Sequence, residues 1–576
     1  MKRLIKNDSF FLILLLIFGS NLYAQPELRI VTGQQDTVRS AQHFFSGMTA
    51  PNSQLSVNGV SFPVYATGAF AAEVKLSEGL NKVNFVVRQS GKETVKNVDI
   101  YYMPMETPQA TTRFEIEQAE LIPAVSMVYP GDALKLKVKT LPGCKVSWLN
   151  GKVLEELPVE VAGIAGIYQG QYVVEENDSL LDSPVVVTVT NGEQSISKEI
   201  AKSVTVINPQ KPLYVKTKGA TPYLNYGLGQ DRLGGSKIGY ISEGIEMKAL
   251  CKAGRLYKVQ LSKQHSAWIP ESEVESPTSQ HLFKPDALTS SWSVYGDDSY
   301  DYVKIGLSDK LPYRSFQEIN PVRIVVDIFG VSTNTAWITQ LFNVKIITNV
   351  NYEQIEDDVL RIFIDLNTKQ HWGYSVYYEN NQLVIRVKHQ PKLQLKGLRI
   401  ALDAGHGGES DGAVGTTGMK EKDVNLELVM MLKAELEKHG AYIILTRSDD
   451  SDVGMQQRLS LLSQQKPDIL VSIHNNAGGN PITTKGSSAY YRHIGYRPLS
   501  KAILNRLLKL GVNNYGNVGS FNFTLNSPTE YPNALVEGLF LSNPEDEAKL
   551  ADKGFRIKFV KKIVEGLKDF LNEAAK

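Results

Sequence analysis

The hydrophobic period of this chain changes near residue 391, and no single architecture accommodates both parts. From residue 26 to 391, short runs alternate apolar with polar residues and stop at Gly, Pro, Asn or Ser. That period of two belongs to half-buried strands. From about 396 onward, apolar runs of strand length alternate with stretches whose apolar residues recur every three or four positions. That is the pattern of helices laid on a sheet. At 576 residues the chain also exceeds what one core can hold. The expectation is a multidomain protein: all-β N-terminal modules, then an α/β domain with a mostly parallel sheet flanked by helices.

The α/β segment carries chemistry at its strand ends. The run 398–402 reads as a strand, and DAGHGG (403–408) follows it as a Gly-rich turn bearing His406. Glu421, in MKEKDVNLE (419–427), opens a helical pattern in which Leu426, Val429, Leu432 and Leu436 share a face. The strand 441–447 and a short helix around 455–462 lead to VSIHNN (471–476), which delivers His474. Glu537 follows the apolar run 534–536, and Asn543-Pro544 then starts another helix, with Asn as cap. The ladder Phe555, Phe559, Ile563, Leu567 and Leu571 marks the last helix. In open sheets of this kind, ligands gather beyond the carboxyl ends of the strands. Two histidines and a carboxylate there are a hydrolytic zinc set, with a further carboxylate to move protons. The turn lacks the Lys-Ser/Thr of a phosphate loop. Pattern alone says zinc hydrolase and no more.

Residues 396–576 resemble the zinc-dependent N-acetylmuramoyl-L-alanine amidases of the amidase 3 family. The matching elements, in order, are the DxGHGG turn, G-x-x-G-x-x-E-K-D-x-N-L (415–426), L-T-R (445–447), Q-x-R-L (456–459), S-I-H-x-N (472–476) and P-x-x-L-V-E-x-x-F-x-S-N (532–543). The resemblance implies that His406, Glu421 and His474 bind Zn2+ and that Glu537 is the catalytic glutamate. It also places Asn425 and Asn476 as supports around the ligands. The reaction it implies is hydrolysis of the amide between N-acetylmuramic acid and L-alanine, which frees stem peptides from the glycan during wall remodelling or septal splitting. Asn526 stands where the family usually has a basic residue, so substrate contacts there are expected to differ. The segment 491–499 is short, and no blocking helix is expected over the cleft. His439 is read as the end of a helix and His493 as a surface residue.

The N-terminus, MKRLIKNDSFFLILLLIFGSNLYAQ, reads as a secretory signal over residues 1–24, with Lys2, Arg3 and Lys6 before the apolar stretch 10–18. That stretch is too short to span a bilayer, which takes about 20 residues. The mature chain is therefore expected to have no membrane span and to be exported, with the periplasm as its destination. A net charge of +1 without basic runs argues against nucleic acid. Cys144 and Cys251 fall in different segments, so no disulfide framework is expected.

Four β modules are expected before the α/β domain. Residues 25–104 resemble a bacterial Ig-like sandwich, and a linker spans 104–111. Residues 112–208 resemble a second Ig-like sandwich, with Trp148 and an Asn150-Gly151 hairpin signal. Residues 211–276, with LYVKTKG (213–219) and AWIP (267–270), resemble an SH3-like barrel. Residues 281–391, with PVRIVVDIFG (321–330), VLRIFIDLN (359–367) and QLVIRVK (382–388), resemble an AMIN module. The expected partners are peptidoglycan and a protein activator, with the chain acting as a monomer. The rival readings are a catalytically silent peptidoglycan-binding or regulatory protein, and a zinc peptidase acting within stem peptides; the latter lacks an H-E-x-x-H helix.

Overall fold

The computed structural model describes residues 25–576 except 106–107, 202, 230–236, 277, 279–286 and 341–342. The export signal expected over 1–24 lies outside the described residues. The chain divides into two compact units, one ending at Met103 and one running Pro104–Lys576. In the first unit, a three-stranded and a five-stranded sheet enclose a core that includes Phe45, Phe70, Phe85 and Ile100. Its alternating strands, such as Gly79–Gln89, put every second side chain inward.

The second unit begins with a seven-stranded sheet around Trp148 and Tyr172. Asn150 and Gly151 both take positive φ and turn Lys145–Trp148 back onto Lys152–Glu156, as that dipeptide favours. The next sheet is not confined to 211–276. Strand Val125–Val128 pairs antiparallel with Glu246–Ala253, so a piece of the preceding segment completes it. Two further sheets, within residues 287–388, share one continuous apolar cluster with this assembly, running from Val215 to Val387. Cys144 and Cys251 are both free thiols.

Seven elements of the α/β region position the site. In chain order they are β1 (Arg399–Ala404), α1 (Glu421–Lys438), β2 (Tyr442–Leu445), β3 (Ile469–Asn476), β4 (Ser487–Tyr490), β5 (Asn514–Val518) and β6 (Asn533–Phe540). The sheet order is β2-β1-β3-β6-β4-β5. This sheet is mixed: β4 runs antiparallel to β6, whereas the other four ladders are parallel. The central strands β1, β3 and β6 are nearly continuous apolar runs because helices cover both faces. The helices α2 (Pro544–Ala551) and α3 (Lys553–Ala575) close the chain. The Asn543 side chain accepts from the Glu545 and Asp546 amides, which makes it the cap expected from Asn-Pro. Phe559, Ile563, Leu567 and Leu571 are buried along α3, and Phe555 packs at the edge of the same core.

The 287–388 segment is seated directly on the α/β region. Trp372 is part of the α/β core and stands 5.6 Å from the Phe570 ring. Tyr374 N donates to Thr529 O at 2.8 Å, and Thr529 Oγ1 donates back to Tyr374 O at 2.8 Å. A half-buried Lys388–Asp468 pair at 2.7 Å joins the same surfaces. Among the described residues no helix is long and apolar enough to cross a membrane.

Candidate active site

Three side chains from three elements converge beside the ends of β1 and β3. His406 lies in the turn after β1, Glu421 is the first residue of α1, and His474 is on β3. The ligand atoms these residues offer all lie within 4.8 Å of one another. His406 Nε2 is 3.1 Å from Glu421 Oε2, and His474 Nδ1 is 3.0 Å from Glu421 Oε1. The edge of a tetrahedron of zinc ligands is about 3.4 Å, given bonds of about 2.1 Å. The set of two imidazoles and one carboxylate therefore suits that ion in both chemistry and spacing.

Glycine makes the convergence sterically possible at two points. A Cβ at Gly405 would stand 2.3 Å from His474 Nε2, and one at Gly412 would stand 2.4 Å from Glu421 Oε2. Gly412 also needs its positive φ of 69°.

Hydrogen bonds orient the carboxylate. Ala413 N donates to Glu421 Oε2 at 2.8 Å, while Asn475 N and Asn425 Nδ2 donate to Oε1 at 3.1 and 3.2 Å. Burial alone would raise the Glu421 pKa, but the bonds from His406 and His474 outweigh it and hold the carboxyl well below its ordinary range. The start of α1 adds its partial positive charge on the same side. His474 shifts the opposite way: burial disfavours its charged form, yet Glu421 and Glu537 overcome this and raise its pKa.

Glu537 sits in the ladder directly beside His474, since β3 and β6 pair His474 with Glu537. It lies within β6, not at the end of a strand, because the ladder with β3 continues past it to Phe540. Its Oε2 is shielded from solvent and has no hydrogen-bond partner among the described residues. Burial, reinforced by Glu421 and opposed by His474, pushes its pKa up to about 7. A carboxyl poised near neutrality with a free lone pair is what proton transfer needs.

The structure refines several expectations. Asn425 supports the site as expected, but its partner is Asn475, whose Nδ2 donates to Asn425 Oδ1 at 2.9 Å. The Asn476 carboxamide instead accepts from the Ala477 amide. The sequence signal for Asn475 was its neighbouring position: on a strand, adjacent residues face opposite ways, and it is the main-chain amide of Asn475 that meets Glu421. Asn526 is buried, with Nδ2 donating to Asn533 Oδ1 at 3.2 Å, so it braces the loop before β6. His439 caps the C-terminus of α1 as expected. His493 is not a free surface residue: its Nε2 bonds to Ser527 O at 2.9 Å, and burial holds its pKa down to about 3. Between β4 and the helix Arg497–Leu507 there is a single turn, Ile494–Tyr496.

Comparison with known proteins points to the same region of the chain. Residues 400–569 match the Amidase_3 family, described as N-acetylmuramoyl-L-alanine amidase, and residues 293–387 match the AMIN domain. The probable cell wall amidase LytH of Staphylococcus aureus is 31% identical over 202 residues, which covers 35% of this chain and 67% of that protein. Among solved structures, the amidase AmiC2 of Nostoc punctiforme is 31% identical, covering 31% of this chain and 99% of its own, with a TM-score of 0.29. The catalytic domain of CwlV from Bacillus (Paenibacillus) polymyxa var. colistinus is 28% identical, covering 30% and 98%, also with a TM-score of 0.29. The chain belongs to the Amidase_3 family of N-acetylmuramoyl-L-alanine amidases and carries an AMIN domain ahead of its catalytic region.

Proposed function

We propose that this amidase is exported, acts as a monomer on peptidoglycan, and cleaves the lactyl amide to L-alanine with Zn2+ held by His406, Glu421 and His474. Residues 396–576 carry the reaction, and the modules 25–104, 112–208, 211–276 and 281–391 place it on the wall. Zinc in this position supplies a Lewis acid that polarises the amide carbonyl and acidifies a water. Glu421 brings one negative charge and two imidazoles complete the set, a donor combination suited to a divalent cation. Glu537 Oε2 then accepts the proton released as water adds to the carbonyl carbon, and it gives that proton to the departing L-alanine nitrogen. One water is consumed, the C–N bond breaks, and a free lactyl carboxyl and a free amine result. The one-turn link between β4 and the following helix leaves room for a glycan strand to approach.

The unpartnered Glu537 Oε2, set in the ladder beside His474, is the observation that carries this reading. The test is digestion of purified peptidoglycan by residues 25–576, with and without a zinc chelator, and by Glu537→Gln. Products are identified by mass. Stem peptides with a new L-alanine amine, absent from both controls, are expected. Release of amines from within the stem would favour a zinc peptidase. Binding without any product would favour a silent wall-binding protein, or a requirement for an activating partner that addition of cell extract would reveal.

A further inference from the structure

Beneath the converging ligands lie two buried arginines, Arg447 at 4% exposure and Arg458 at 2%. Among the described residues the one close ion pair they make is Arg458 Nη1 to Asp403 Oδ1 at 2.6 Å. A guanidinium withdrawn from water is costly unless its donors are met, so the acceptors show what these side chains do. Three of the acceptors are consecutive main-chain carbonyls of the His406 turn, and the others are the Asp403 carboxylate and the carbonyls of Lys422, Asp449 and Val453. Arg447 Nε and Arg458 Nη1 both donate to Ala404 O, at 2.9 and 2.8 Å. Arg447 Nη2 donates to Gly405 O at 2.9 Å, and Arg458 Nη2 donates to His406 O at 2.7 Å. Three consecutive carbonyls are thus each held by a guanidinium.

Two details tie this arrangement to the ligands. His406 has φ +64°, a left-handed conformation that a residue with a Cβ resists, so its turn must be held from outside. Arg447 Nη2 also donates to Lys422 O at 2.8 Å, the carbonyl of the residue after Glu421. One nitrogen therefore bonds to both the turn that carries His406 and the helix start that carries Glu421.

We propose that Arg447 and Arg458 are positioning residues of the metal centre, holding the His406 turn in its left-handed form and locking it to the first turn of α1. The proposal rests on the assignment of His406, Glu421 and His474 as metal ligands. Neither arginine touches a ligand atom; both act through the backbone, and they set two of the three ligand segments before a metal arrives. Lysine keeps the charge but has no rigid fork with which to reach Ala404 O and Asp449 O together with Gly405 O and Lys422 O.

The test strips metal from residues 25–576 and titrates zinc against a chromophoric chelator. Arg447→Lys and Arg458→Lys are compared with Leu571→Ala, a core truncation on α3 that leaves the turn alone. Both arginine variants are expected to bind zinc ten- to a hundredfold more weakly, with KM unchanged and kcat partly restored at saturating zinc. Leu571→Ala is expected to lower Tm and to keep the parent zinc affinity. Arginine variants binding within threefold of the parent would overturn the proposal, as would equal weakening in Leu571→Ala. If Arg458→Lys does not fold, Arg447→Lys decides, because it leaves the Arg458–Asp403 pair intact. A parent chain that binds no zinc at all would instead refute the ligand assignment, which is a separate failure.

Discussion

Trp372 belongs by sequence to the β segment and by packing to the catalytic core, and removing it tests whether the two are one folded unit. The side chain is 2% exposed, lies 5.6 Å from the Phe570 ring, and donates from Nε1 to Gln390 Oε1 at 3.2 Å. A buried indole withdraws about 150–250 Å² from water. At about 25 cal/mol per Å² this amounts to roughly 4–6 kcal/mol, an upper bound because the unfolded chain already shields part of it. Measured truncations of buried Trp cost about 3–5 kcal/mol, which is a large share of a domain stability of about 5–15 kcal/mol. Trp372→Ala should therefore shift the urea midpoint of the transition in which amidase activity is lost by an amount equivalent to about 3–5 kcal/mol. Activity is the right probe because several domains need not unfold together. Trp337, 79% exposed, supplies the control, and Trp337→Ala should stay within about 0.5 kcal/mol of the parent. If Trp372→Ala costs under about 1 kcal/mol, or no more than Trp337→Ala, the AMIN segment does not complete the catalytic core. By the same reasoning an isolated 392–576 fragment should unfold at lower urea than the full chain.

Other outcomes follow from the site and from the seam beside it. Glu537→Gln should retain stoichiometric zinc yet lose about 10²–10⁴-fold in kcat, whereas Glu421→Gln should lose the metal itself. Metal analysis beside turnover separates the two, and zinc lost from both would contradict a proton-transfer role for Glu537. Asn475→Ala removes the acceptor of the Leu539 amide and the donor to Asn425, so a stability loss of about 1–3 kcal/mol is expected together with weaker zinc binding, read by melting and by chelator competition. His371, buried against Glu318 O, and His493, buried against Ser527 O, have pKa values held down by burial, to about 4 and about 3. Their folded pKa values lie below the unfolded value, so the stability they contribute is whole above pH 6.5 and declines as pH falls toward 4. For His371 the loss reaches on the order of 3 kcal/mol. Melting between pH 7.5 and 4.5 should show this decline, and His371→Gln should flatten it; an unchanged slope would dismiss the effect.

Much of the catalytic region was legible because its signals are local. A Gly-rich turn must follow β1 where backbone and imidazole crowd together, and the closeness of Gly405 and Gly412 to the ligands is the physical content of that pattern. The Asn543 cap and the apolar ladder of α3 are likewise written in adjacent or periodic residues. The supporting residues were harder to read. Arg447 and Arg458 stood in recognisable motifs, but nothing about an arginine in sequence says that its fork will reach carbonyls more than forty positions away. The mixed character of the sheet was also hidden, since β4 is the four-residue run Ser-Ser-Ala-Tyr and nothing local in it fixes its direction against β6.

The sequence by itself determined the chemistry and the periodicity: which donors exist, which strands and helices carry them, and that β modules precede an α/β domain. Only the tertiary structure decided how these meet. It set His474 beside Glu537 by the register of two strands far apart in the chain. It drew Val125–Val128 into a later sheet, and it seated Trp372 of the β segment in the catalytic core. Hydrophobic burial is non-directional, so an apolar residue states that it will be buried without stating against what. That choice falls to register, shape and backbone hydrogen bonds summed over the whole fold.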